Sequence, residues 1–170
     1  MTDALTGVGQ AGWNTAVSML RKARLLLEDD GHGTLDAHPL VRELFGALLE
    51  RTSPHGFRAA HGRLFEHLRD HGKRSPDSLD DRLEDIEPHF RAIWHGVKAQ
   101  RWQEAFDIYR FRVRRNNLHF SLYQINAVPA DLAAQSAFFD EQGAVRPSKV
   151  TAGDEAWLLS ARAFSQRALG

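Results

Sequence analysis

Residues 24–45 read RLLLEDDGHGTLDAHPLVRELF, and the fold turns on how the part before His38 is taken. The run opens with an apolar triplet at 25–27, passes the Asp30-Gly31 turn signal and closes with a second short segment. That order predicts a two-stranded hairpin, because an Asp-Gly pair readily adopts the positive φ angles of a tight turn. Two strands do not stand alone in water, so the hairpin must lie against the helices on either side. Beyond it, Asp36 or His38 can satisfy free N–H groups at a helix entrance. Pro39 suits a first helical position, where no intrahelical N–H bond is expected. This explains a helix start and leaves the imidazole open, as a junction residue or as a ligand sensor.

Working outward, residues 1–13 are glycine-rich and weakly patterned, which predicts a tail, and Asn14 is a plausible N-cap for the helix NTAVSMLRKARLL. On the other side, PLVRELFGALLERT repeats Leu40, Leu44, Ala47 and Leu48 at helical spacing. A second helix from near Pro54 carries Phe57, His61, Leu64, Phe65 and Leu68 on one stripe. Residues 72–79 form a linker. From Asp80 or Asp81 to about Lys98 the stripe is Leu83, Ile86, Phe90, Ile93, Trp94 and Val97, with Pro88 either kinking the helix or dividing it. After a turn at 99–101, RWQEAFDIYRFRVRR continues as a helix through Trp102, Ala105, Phe106 and Tyr109. Gly96 and Ala105 are small enough for neighbouring helices to approach closely. Asn116 and Asn117 break that run, helicity resumes with an interruption near Pro129, and EQGAVRPSKV is a loop. Thr151 and Glu155 mark the start of a last helix bearing Trp157, Leu158, Ala161, Phe164 and Ala168. A terminal apolar helix with no following partner predicts either a boundary inside a longer protein or an intermolecular contact. The expected fold is mainly all-α, with a small β-hairpin and helices stacked as antiparallel pairs, although no 34-residue period marks a regular repeat.

Composition narrows the partners. Lysine plus arginine and aspartate plus glutamate both total 22, so no bulk charge draws the chain to nucleic acid or a membrane surface. No cysteine occurs, which removes disulfides, thiolate nucleophiles and cysteine metal sites. Neither a signal segment nor an apolar run approaching about 18 residues is present, and a cytoplasmic protein is expected. Locally the charge is uneven: residues 66–87 hold eight acidic and four basic side chains, whereas 98–120 hold two and six. Such blocks either attract a charged partner or are ordinary solvated helix faces.

No phosphate loop, HExxH zinc signature or GxSxG nucleophile elbow occurs, so no catalytic residue and no enzyme activity are expected. Asp80, Asp81, Glu84 and Asp85 read more simply as an acidic helix start favoured by the dipole than as a pair of glycosidase carboxylates. His67 and His71 share a helix face with His61 at poorer spacing, and a metal would need further donors, so no metal site is assigned. A winged-helix DNA-binding reading has Arg21, Lys22 and Arg24 as its basic contacts. In RFRVRR, Phe111 and Val113 alternate with arginines. Trp94, Trp102, Tyr109, Arg110, Phe111, Arg112, Arg114 and Arg115 thus make a candidate surface for an acidic peptide or a neighbouring domain. The competing reading buries the rings between helices and leaves the arginines to cap or solvate a helix end.

The order of helix, LLLEDDGHGTLDAHPLVRELF and helical pairs resembles the region after the nucleotide-binding core of STAND-class signalling ATPases of the NACHT and NB-ARC type. The segments HPLVRELF, FRAAHGRLFEHL, PHFRAIWHGVKAQRWQEAFDIY and AWLLSARAFSQRALG look closest to bacterial members. The resemblance implies a partial winged helix with adjoining helices over 14–71 and a truncated tetratricopeptide-like region over 80–170. It implies that His38 senses bound nucleotide in the intact parent, although Ala37 and Pro39 depart from the usual Met-His-Asp motif. ADP or ATP and magnesium would bind in that parent and not in these residues. The implied function is a nonenzymatic regulatory and interaction segment in bacterial signalling or defence, coupling ligand sensing to nucleotide-dependent activation. Its partners would be an upstream nucleotide-binding domain, downstream helical repeats, a protein or peptide ligand and further copies of itself. An independent helical adaptor is the alternative.

Overall fold

The computed structural model describes residues 7–27, 35–71, 81–146 and 150–168. Among them the chain is helical: α1 (Gln10–Lys22), α2 (Pro39–Thr52), α3 (Pro54–His71), α4 (Leu83–Lys98), α5 (Trp102–Ile108), α6 (Phe120–Tyr123), α7 (Val128–Ser136) and α8 (Ala152–Ala168). A π-helical turn, Tyr109–Val113, continues α5, and a 3₁₀ turn, Asn116–Leu118, precedes α6. The chain divides into two units, residues 1–59 and 60–170, so the boundary falls inside α3 rather than in the expected linker at 72–79, which lies outside the described residues.

No β-strand occurs among the described residues; the expected turn at Asp30-Gly31 lies outside them. The flanks share one backbone bond, from the Leu27 N–H to the Asp36 carbonyl at 2.8 Å, with no ladder around it. Helix α1 ends in a Schellman closure, in which the Leu25 N–H bonds the Leu20 carbonyl at 3.0 Å and Arg24 takes φ 56°. The apolar triplet therefore leaves a helix stop through bends, and neither described flank of the expected wing is a strand. Helix α1 also begins earlier than Asn14, with Gly9 as its N-cap. The entrance to α2 follows expectation: Pro39 opens the helix and the His38 Nδ1 accepts the Leu40 N–H at 3.3 Å.

In the unit from residue 60 onward, α4 is the central rod. Ile86, Phe90, Ile93 and Val97 recur at three- and four-residue spacing and are buried, while Leu83 and Trp94 lie off that stripe and are exposed. Helix α4 packs on α5, the π turn and α7, and α7 packs on α6 and α8. Phe65, Phe106, Tyr109, Phe138 and Leu158 join the core. Pro88 sits inside α4 without dividing it, because it falls in the second turn, where only one ladder bond is lost. The crossing of α4 and α5 is as tight as the small residues predict. A Cβ on Gly96 would lie 2.9 Å from the Ala105 Cβ and 2.8 Å from the Phe65 ring. At the start of α8 the Thr151 hydroxyl accepts the Asp154 N–H at 3.3 Å and donates to its carboxylate at 2.7 Å, so Asp154 rather than Glu155 completes the cap.

The helices after α4 do not form a repeat. Helix α4 has 16 residues and α8 has 17, and the 7 residues of α5 are extended by the 5 of the π turn, but α6 and α7 have only 4 and 9. Tetratricopeptide-like pairs require comparable helices stacked in register. The expected antiparallel arrays are replaced by one irregular cluster held by buried polar groups.

Candidate interaction surface

The expected surface splits apart. Trp94 is 47% exposed and Phe111 44%. Lys98 places its ammonium 5.9 Å over the Trp94 ring, and Arg110 its guanidinium 5.3 Å over Phe111. Trp102 packs partly buried against the core, and Tyr109 is fully buried. Arg110 is tied to Asp154 at 3.0 Å and lies over the Trp157 ring, and Arg112 is half-buried. Arg114 and Arg115 are buried and cannot be surface contacts. Of the eight residues, only Trp94 and Phe111 present open rings.

The π turn explains the inversion. The Arg114 N–H bonds the Tyr109 carbonyl at 2.9 Å, a five-residue step that turns both side chains inward where α-helical spacing would separate them. Inside, the guanidinium meets Asp131 of α7 in a two-pronged pair, Nε to Oδ1 at 2.9 Å and Nη2 to Oδ2 at 2.7 Å. Nη2 also donates to the Ser165 hydroxyl of α8 at 2.6 Å, and Nη1 to the His119 Nδ1 at 2.9 Å. Asp131 accepts Ser121 Oγ at 2.7 Å and the Tyr109 hydroxyl at 3.3 Å. Burial first, and then the Asp131 carboxylate, push the Tyr109 phenol well above its ordinary range. His119 is lowered, by burial and then by the Arg114 cation, which suits its role as an acceptor. Its ring stacks on Phe164 with centroids 4.2 Å apart. Arg115 pairs with Asp81 and covers the Phe120 ring.

Sequence reasoning missed Asp131, Ser121, His119 and Ser165. The available signal was a lone acid within VPADLAAQSAFF, an apolar setting in which a carboxylate requires a cationic partner. Nothing local pointed to Arg114, 17 residues away.

The histidines group differently from the metal reading. His61 of α3 and His95 of α4 bring their Nδ1 atoms to 2.8 Å, and both rings lie edge-on to Trp94. Burial, then His61 and Arg91, lower His95 to about 4. The His71 side chain lies outside the described ones, and among the described residues no group of three or more acidic or histidine side chains is placed to hold a metal ion. Asp81 pairs inward with Arg115, while Glu84 and Asp85 occupy the first turn of α4, as the dipole reading requires.

A second surface was not singled out from sequence. Neither α1 nor α2 contains a buried residue, and Phe57 is the one buried side chain described in residues 7–59. Leu40 is 68% exposed and Leu44 67%, and Phe45, Leu48 and Leu49 of α2 are exposed with Trp13, Met19 and Leu20 of α1. The regular spacing of Leu40, Leu44, Ala47 and Leu48 marked a helix correctly, but its apolar face opens to solvent.

No protein-family model, curated protein or solved structure matches the chain. Together with the absence of strands among the described residues, this withdraws the resemblance to STAND-class ATPases, the winged helix and the tetratricopeptide-like region. The nucleotide-sensing role of His38 rested on that resemblance and goes with it; the imidazole caps α2. The DNA-binding reading likewise has no strand among the described residues to support its wing. No helix among the described residues is long and apolar enough to cross a membrane.

Proposed function

We propose that the chain is a helical protein-interaction module whose docking surface is the apolar face of α1 and α2. The observation that carries this reading is the pairing of helical apolar spacing with an absence of buried residues in both helices. Apolar side chains left exposed at helical spacing favour association, because leaving them wet forfeits about 25 cal/mol per Å². A cytoplasmic location belongs to the same proposal.

The test is binding of an apolar fluorescent dye to dilute native chain and to a Leu40→Ser/Leu44→Ser variant. Native chain is expected to bind the dye and the variant to lose most of the signal with unchanged helix content. Native chain that leaves the dye dark at dilution overturns the reading.

A further inference from the structure

We infer that His61 and His95 form an acid-operated latch between α3 and α4, closed while a proton lies between the two rings and open once both rings are charged. Both residues belong to the unit from residue 60 onward, so the contact is internal to it. Their Nδ1 atoms lie 2.8 Å apart and their ring centroids 5.0 Å, with a tilt of 37° between the planes. Centroids that far apart mean that the rings point nitrogen to nitrogen, along the line of a hydrogen bond. Two ligands of one metal ion would instead converge on a point beside that line. One Nδ1 therefore donates and the other accepts.

The number of protons decides what acid does to this pair. With both rings neutral, one carries its proton on Nδ1 and the other on Nε2, and the bond is made. A first added proton enters at the Nε2 of the donor ring and leaves the bond in place, now charge-assisted. A second can enter only at the accepting Nδ1. Two N–H groups then face each other across 2.8 Å with like charges behind them, and the contact parts. The surroundings add to that repulsion. His61 faces His95 from α3, Arg91 acts on His95 from within α4, and Lys98 sits over the Trp94 ring that both imidazoles meet edge-on. Burial, then His61 and Arg91, hold His95 down to about 4.

Release is confined to one end of the α3 segment. Further along it, Phe65 lies against Gly96, Glu66 is tied to Arg101 at 2.7 Å and Arg69 to Glu104 at 3.6 Å. These contacts use no imidazole. Arg101, and behind it Arg69, hold the Glu104 carboxyl below its ordinary range, so it keeps its charge through the acid range that opens the latch. The turn around His61 comes free while residues 65–69 stay anchored.

The experiment is amide hydrogen exchange of the full chain, read residue by residue by NMR at pH 7 and pH 4.5 with the intrinsic rates divided out. Protection over residues 60–64 is expected to fall about tenfold at pH 4.5, while that over 65–69 and 86–97 holds. His61→Gln and His95→Gln each supply an amide that can accept or donate and remove the second charge, so each should keep protection level between the two pH values. Equal protection of native residues 60–64 at both pH values overturns the inference, and so does a fall that persists in either variant. A fall spread evenly over α3, α4 and α7 is general acid unfolding and overturns it as well.

Discussion

Replacing Asp131 with asparagine takes one charge from a pair whose two side chains are both fully buried. Arg114 would keep its cation among Tyr109, Ser165 and His119, facing an amide whose N–H₂ can donate but not accept. Breaking a buried pair on one side costs about 3–5 kcal/mol, a large share of the roughly 5–15 kcal/mol that holds a domain folded. With a urea m-value near 2 kcal/mol per molar, the unfolding midpoint should fall by about 2 M. Arg114→Met should cost a similar amount by stranding the carboxylate. The double variant Arg114→Met/Asp131→Leu strands neither charge. It leaves the Ser121 and Tyr109 hydroxyl protons without their acceptor, about 1–3 kcal/mol each, while Tyr109 still accepts from Gln135 and Ser165 still donates to the Ala161 carbonyl. The double should therefore cost clearly less than the sum of the two singles. Urea unfolding followed by circular dichroism at 222 nm measures all three. A single substitution costing under about 1 kcal/mol, or a double that simply adds the two losses, would refute the account of Arg114 and Asp131 as a mutually dependent pair.

Gly96→Ala should destabilise by about 1–2 kcal/mol: overpacking at the α4–α5 crossing costs about 1–3 kcal/mol, and better helix propensity returns up to about 1. A variant equal to native in thermal melting would show that the crossing has slack. Gln100 holds φ 63° at the Schellman closure of α4, where glycine carries no Cβ penalty, so Gln100→Gly should raise stability by a few tenths to about 1 kcal/mol in the same melts. For His95, the folded value near 4 lies below the ordinary 6.5, so the unfolded chain takes up the proton first as pH falls. Its contribution is complete above pH 6.5 and is lost between 6.5 and about 4. Partial exposure screens it to about 1–2 kcal/mol. His95→Gln should flatten that stretch of the stability profile, and an unchanged slope would remove the His61–His95 contact as its cause.

Helix positions and the tight α4–α5 crossing were legible because they depend on local spacing and residue size: Ile86, Phe90, Ile93 and Val97 announce a buried face, and Gly96 a close approach. The junction at His38-Pro39 was legible for the same reason. The hairpin was misread because a three-residue apolar run carries no period of its own, and the αL residue that ends α1 is an arginine rather than the glycine that usually signals such a stop. Arg114 and Arg115 were assigned to the surface because charge is ordinarily solvated. Their acids, Asp131 and Asp81, come from other parts of the chain, and only the assembled core brings them together.

The π turn is an α-helix carrying one residue more than its hydrogen-bond ladder can use. Deleting the exposed Phe111 would leave Tyr109 and the following buried arginine four apart, the step at which an ordinary helix already places two side chains on one side. A shortened chain can thus keep its inner contacts by tightening to regular geometry. The same deletion within α4 would rotate every core side chain beyond it by about 100°. Tolerance to losing a residue is therefore concentrated in the stretch from Tyr109 to Val113, and length variation along this molecule should be easiest to accept there.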